Sequence, residues 1–202
     1  MVAGKDWVGN LRSSIVTNGG RNFTETEREK HDYYATDPEA IPPLVENETF
    51  SDTIWECACG ELHLSDKLAD YGYNVINTDL VVRGEGMRQL DFLKYTPTHK
   101  NEYDIITNPP YKYAKQFVEH AIEISAPNTK IAMFLKLTFL KTRSRYELFR
   151  KYPLKKLYVF SKRMNCAMNG DFDNQRQSAV AYAWYVWQVG WKGEPIIRWI
   201  KP

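Results

Sequence analysis

Four consecutive residues, Asn108-Pro109-Pro110-Tyr111, close the apolar run Asp104-Ile105-Ile106-Thr107. Asn is a poor strand residue and proline donates nothing to a ladder, so a buried strand stops here. Its end holds a carboxamide, backbone carbonyls fixed by two rings, and an aromatic face. The side-chain oxygen of Asn108 and the carbonyl of Pro109 are two acceptors on a backbone with little freedom to lose. Two such acceptors suit the two protons of an amino group on a flat heteroaromatic ring. By binding those protons they draw the nitrogen toward tetrahedral geometry and localise a lone pair otherwise spread into the ring. Tyr111 offers a face for a base pulled from its stack. Taken alone, the four residues read equally well as a rigid loop, so their neighbours must decide.

Three acids stand at comparable places. The run Thr53 to Cys59 reads as a first strand ending in Glu56, Cys57, Ala58 and Cys59 before a turn at Gly60. Asp79 closes a second strand, Tyr73 to Leu80, about 20 residues after that glycine, where an acid typically accepts from ribose hydroxyls. A short element, Gln89 to Leu93, carries Asp91 and Phe92, a carboxylate and a ring suited to an adenine. A pyrophosphate would need a glycine-rich loop, whereas this turn has one glycine followed by Glu61 and Leu62. A cofactor with adenosine and no phosphate fits better, and S-adenosylmethionine is the common one.

The elements that must position these groups follow from the hydrophobic pattern. Apolar strands alternate with amphipathic helices: helix Leu62 to Tyr71, strand Tyr103 to Asn108, helix Ala114 to Ile124, a strand from Lys130, and a basic helix near Thr142 to Lys151. This alternation predicts an α/β domain with a doubly wound, mostly parallel seven-stranded sheet. Ligands in such sheets bind outside the carboxyl ends of the strands, where Glu56, Asp79, Asp91 and Asn108 fall. The last two strands, Lys156 to Phe160 and Ala179 to Val189, leave no room for a helix between them and predict a terminal antiparallel hairpin. Asp37-Pro38 reads as a helix start. Residues 1–30 are polar, with Asn18-Gly19-Gly20 and a mixed-charge run, and read as a flexible arm before a single domain over 31–202.

The 202 residues carry a net charge of +2, but Lys141 to Asn165 hold nine basic residues against the single acid Glu147. Tyr146, Phe149, Tyr152 and Tyr158 are interleaved with them, a mixture that suits a polyanion with stackable bases as well as it suits a solvated helix face. No run approaches the roughly 18 apolar residues of a membrane span, and no signal-peptide pattern follows Met1, so a cytoplasmic protein is expected. Three cysteines without a C-x-x-C pair predict buried thiols and no metal site.

With these residues in place, the chain resembles the S-adenosylmethionine-dependent N6-adenine DNA methyltransferases, in particular the small adenine methyltransferase-like proteins of phages and prophages. The resemblance covers about Asp32 to Ile200. It implies a Rossmann-like class I methyltransferase fold and the catalytic motif Asn108, Pro109, Pro110 and Tyr111. It further implies cofactor contacts from Tyr34, Ala35, Thr36 and Pro38 along the methionine moiety, and from Glu56, Cys57, Ala58 and Gly60 in the loop. Asp79 would serve the ribose, and Asp91 with Phe92 the adenine. The implied substrate is DNA, with Lys141, Arg143, Arg145, Lys162 and Arg163 on its phosphates. The polar stretch Met164 to Ser178, with Asn165, reads equally well as a segment that reaches base edges and as a solvated hairpin loop. The chain departs from the family in having Leu62 where a second glycine is usual, and it leaves no length for a target-recognition domain. Specificity would then be short, relaxed, or supplied by a partner protein or self-association. RNA adenine or protein glutamine methylation and a non-catalytic cofactor- or nucleic-acid-binding accessory are the alternative readings.

Overall fold

A computed structural model describes residues 35–162, 164, 166–167 and 180–201. Tyr34, Arg163, Asn165, the N-terminal arm and most of the Met164 to Ser178 stretch lie outside the described residues.

The described residues open with β1 (Ala35–Thr36), a short 3-10 turn and helix α1 (Ile41–Val45). Asp37 does start this helical region: its Oδ1 accepts the Glu39 N–H at 3.0 Å, and Pro38 occupies the first position, where a missing N–H costs nothing. Next come β2 (Thr53–Glu56), α2 (His63–Asp70), β3 (Asn74–Asp79), β4 (Arg88–Gln89) and β5 (Asp104–Thr107). The second half holds α3 (Ala114–Ile124), β6 (Lys130–Lys136), α4 (Arg143–Lys151), β7 (Lys156–Phe160), β8 (Cys166–Ala167), β9 (Tyr182–Gln188) and β10 (Ile196–Ile200).

Eight strands form the main sheet in the order β10-β7-β9-β6-β5-β2-β3-β4. β9 runs antiparallel between β6 and β7, while the other pairings are parallel. β1 and β8 form a separate antiparallel pair. The antiparallel pairing of β7 with β9 is as the sequence predicts. The strand count is not: β10 adds an eighth strand beside β7, so the β7–β9 pair is not terminal. Its pattern hid it, because Ile196, Ile197 and Trp199 are exposed and only Ile200 is buried.

Side chains alternate across the sheet as the pleat requires. Trp55, Ile105, Met133, Tyr185 and Leu157 face α3 and α4, which answer with Phe117, Val118, Ala121 and Leu148. Ile54, Ile106, Phe134, Trp184 and Tyr158 face α1 and α2, which supply Ile41, Leu44, Leu64 and Leu68. Helices thus cover both faces, and fully buried Trp184 also donates its indole N–H to the Ala40 carbonyl at 2.8 Å.

At the amino ends of β6 and β7, buried Glu48 accepts from Lys130 at 2.7 Å and Lys156 at 2.6 Å. Tyr158 adds a third donor at 3.1 Å. This ion cluster fastens the sheet at the end opposite the polar groups described next.

Candidate active site

Strand order reverses between β2 and β5: β3 and β4 lie to one side, β6 and β9 to the other. This is the switch point where the loops leaving two neighbouring parallel strands diverge and open a crevice. Glu56 ends β2, Asp79 ends β3, Asn108 follows β5 and Lys136 ends β6. Because β9 is antiparallel, its first residue, Tyr182, belongs to the same rim and is registered with Lys136.

The loop after β2 turns through Gly60 at φ 56° and Leu62 at φ 68°. Leu62 therefore adopts the left-handed conformation that a glycine takes without steric cost. Asp79 ties this loop down. Its Oδ2 accepts the Gly60 N–H at 2.8 Å, while Oδ1 accepts from the Val81 N–H at 3.0 Å and Arg83 at 3.1 Å. A carboxylate has about four lone-pair positions, so one remains for a further donor.

Glu56 is 2% exposed and accepts from the Ser65 hydroxyl of α2. Burial pushes its carboxyl up to about 8, with the charges of Asp79 and Asp66 adding to the rise. Cys57 and Cys59 are buried beside it; burial drives the Cys57 thiol far up and Cys59 to about 12, so neither is a nucleophile at neutral pH. Ala58 is half-buried in the same turn.

Asp91 stands before a 3-10 turn and pairs with Lys94 at 3.0 Å. Phe92 turns inward. It is 2% exposed, stacked on Phe117 at 4.9 Å and edge-on to Trp55 and His120. The ring assigned to an adenine face is therefore packed in the core, and Asp91 alone of that pair reaches the surface. Ala35 and Thr36 are buried in β1, which lies beside α2.

All four residues of β5 are buried, and Asn108 and Pro109 emerge directly from it. Pro110 accepts the Tyr113 N–H at 2.8 Å, closing a 3-10 turn that begins at Tyr111 and leads into α3. The Tyr111 ring lies 6.1 Å from that of Tyr182, which stacks on Phe134 at 5.0 Å. The Lys136 ammonium sits 4.8 Å from the Tyr111 centroid. Tyr111, Lys136, Phe139, Lys141, Thr142 and Arg145 line a cleft of about 200 Å³. Thr142 is strained there: φ 93° is a region that β-branched residues rarely enter. Arg143 and Lys162 are exposed outside this cleft.

Sequence reasoning did not single out Lys136 or Tyr182, since their place beside Tyr111 depends on β9 entering between β6 and β7. A larger open cleft of about 470 Å³ runs along α3 past Glu119, His120 and Glu123. Its carboxylates make it a poor place for a polyanion.

Among the described residues no group of three or more His, Cys, Asp or Glu side chains could hold a metal ion, and no helix is long and apolar enough to cross a membrane. The donor set suits a cationic adenosyl compound. Asp79 and Asp91 present carboxylates near the ends of β3 and β4, with the Glu56 carboxyl buried at the end of β2, and the loop from Cys57 to Leu62 has the single glycine Gly60 where a pyrophosphate would need a glycine-rich turn.

Comparison with solved structures agrees with this architecture. A SAM-dependent O-methyltransferase from Thermotoga maritima superposes with a TM-score of 0.52 at 13% identity, over 78% of this chain and 66% of its own. A TehB-like SAM-dependent methyltransferase from Corynebacterium glutamicum gives 0.50 at 11% identity, over 88% and 94%. The type IIG restriction endonuclease BpuSI gives 0.53 at 13% identity, over 76% of this chain and 25% of its own. The fold is a methyltransferase fold. This chain spans just under two-thirds of the length of the Thermotoga enzyme and a quarter of BpuSI. No family model and no curated protein matches the sequence.

Proposed function

We propose that this protein transfers a methyl group from S-adenosylmethionine to the exocyclic N6 amine of adenine in DNA. The observation that carries the reading is the placement of Asn108-Pro109-Pro110-Tyr111. The motif leaves β5 at the switch point next to the end of β2, where Glu56 is buried, and it borders a cleft edged by cations.

S-adenosylmethionine supplies an electrophilic methyl group when bound. Asp79, with one acceptor position left, would take a ribose hydroxyl, and Asp91 the adenine end. Glu56 lies beneath the loop as a protonated carboxyl until a cation or higher pH ionises it. On the substrate side, the Asn108 side-chain oxygen and the Pro109 carbonyl accept the two N6 protons. As positive charge develops on that nitrogen both hydrogen bonds strengthen, so they favour the transition state over the ground state. Tyr111 holds the base plane, with Tyr182 behind it. Neither acceptor has to be a strong base, because the proton can leave to water after methyl transfer. The endonuclease BpuSI, a DNA-acting protein with a domain of this fold, is consistent with such a substrate.

The test is methyl transfer from labelled S-adenosylmethionine to unmethylated duplex DNA, with digestion to nucleosides. Label in N6-methyldeoxyadenosine is expected. Label confined to structured RNA, to a glutamine-containing protein, or to cytosine would replace this reading.

A further inference from the structure

Two cations in the cleft are held by rings and not by acids. Lys136 is half-buried with its ammonium 4.8 Å from the Tyr111 centroid, and half-buried Arg145 lies 4.3 Å from the Phe139 centroid. Among the described residues neither forms an ion pair with a carboxylate. Glu119, whose field reaches Arg145, is itself paired with Lys115 at 3.6 Å. Most other partly buried cations of the fold have acids: Lys130 and Lys156 share Glu48, Lys67 pairs with Glu39 and Arg83 with Asp79.

A ring quadrupole offsets part of the desolvation of an ammonium or guanidinium, but it leaves the charge uncancelled. Lys141 lines the same cleft and brings a third positive charge. Half-buried Lys136 and Arg145 with exposed Lys141, around about 200 Å³ beside the ring that would hold the substrate base, offer an anion a site of matching place and sign. A glutamine side chain is a neutral amide and gives them nothing to bind. A nucleotide carries a phosphodiester on the same unit as its base.

We propose that Lys136 and Arg145 seat the phosphodiester adjoining the nucleotide whose base lies on Tyr111, so that base and backbone of one nucleotide are gripped from a single cleft. This rests on the nucleic-acid reading of the site and adds to it. Lys136 ends β6 with its ammonium over the Tyr111 ring and Arg145 lies in the first turn of α4, so the anion is held between the exit of β6 and the basic helix. An extrahelical or single-stranded nucleotide satisfies this arrangement, since its phosphate and base must both turn toward the sheet.

The experiment measures binding without any methyl transfer. The probe is a fluorescent strand of thymidines containing a single deoxyadenosine, read by anisotropy across a salt series. A second probe has the phosphate next to the adenine replaced by a neutral methylphosphonate. For the wild type, the neutral linkage should weaken binding about tenfold, the worth of a charge-assisted contact. Lys136→Gln and Arg145→Gln should each weaken binding of the first probe and lower the salt slope, and the double variant should lower it by about 0.7, the value for one phosphate of a single strand. In the double variant the methylphosphonate should cost almost nothing more, because its partners are gone. Lys136→Arg should restore the slope, which separates lost charge from lost packing. A methylphosphonate penalty equal in wild type and double variant, or an unchanged salt slope, overturns the proposal while leaving the function standing. Wild-type binding to the corresponding RNA strand alone overturns the DNA assignment of both. No binding to either strand contradicts the nucleic-acid reading itself.

Discussion

Buried Glu56 gives the stability of this fold a distinct pH dependence. Its unfolded-state value is 4.5 and its folded value about 8, because burial disfavours the charged form and the charges of Asp79 and Asp66 add to this. Between those two pH values the folded chain keeps a proton that the unfolded chain has released. Stability therefore falls as pH rises through this window and levels off above the folded value. From about pH 6 to about pH 9 the loss amounts to about 3 kcal/mol, taking 1.36 kcal/mol per unit of pH over roughly two units. Glu56→Gln removes the titration while keeping an acceptor for the Ser65 hydroxyl. Its extra amide proton costs about 1–3 kcal/mol if it finds no partner, but that offset does not depend on pH. Urea unfolding of both proteins at the two pH values isolates the effect, because every other titrating group cancels in the comparison. The variant should gain about 3 kcal/mol on the wild type between pH 6 and pH 9. A gap that stays constant would show that Glu56 is already ionised at neutral pH, and the account of a protonated carboxyl beneath the loop would fail.

Leu62→Gly relieves a left-handed leucine, worth about 1–2 kcal/mol, and gives up a half-buried side chain of similar value. Its thermal midpoint should thus stay close to wild type, whereas Leu62→Val, β-branched in the same conformation, should lower it clearly. Glu48→Ala leaves Lys130 and Lys156 facing one another without an acid and should cost about 3 kcal/mol in denaturant unfolding. Burial alone would raise the Glu48 carboxyl, but the hydrogen bonds and charges of Lys130 and Lys156 together hold it below its usual value. Its contribution is accordingly present above the unfolded value and lost as pH falls through the folded one, so Glu48→Ala should flatten the acid limb of the stability curve.

Much of the site is legible along the chain because its parts are strand ends, and strand ends are local. An apolar run that stops in Asn-Pro-Pro, or in an acid before a glycine, announces its own boundary. Asn108, Asp79 and Glu56 are legible as strand ends in this way, and the sheet order sets them along one rim. What depends on strand order was not legible. Nothing local says that the antiparallel β9 enters between β6 and β7, and only that insertion sets Tyr182 beside Lys136 and both beside Tyr111. Phe92 shows a different limit: an aromatic next to an acid near a strand end has the same sequence appearance whether it faces a ligand or, as here, packs on Phe117. Leu62 shows a third, since backbone conformation at one residue is set by the turn and not by the residue's preference. β10 escaped because an edge strand buried only at Ile200 has no inward stripe to read.

The central claim is that Asn108 acts on the nitrogen as charge develops and not on the cofactor. Single-turnover methyl transfer to DNA by wild type and Asn108→Ala, each saturated with S-adenosylmethionine, tests it most directly. The account predicts equal cofactor affinity by calorimetry and a rate reduced by about 10² to 10³ in the variant, the usual loss for a transition-state hydrogen bond. An unchanged rate, or a loss that comes entirely from weaker cofactor binding in a folded variant, would contradict it.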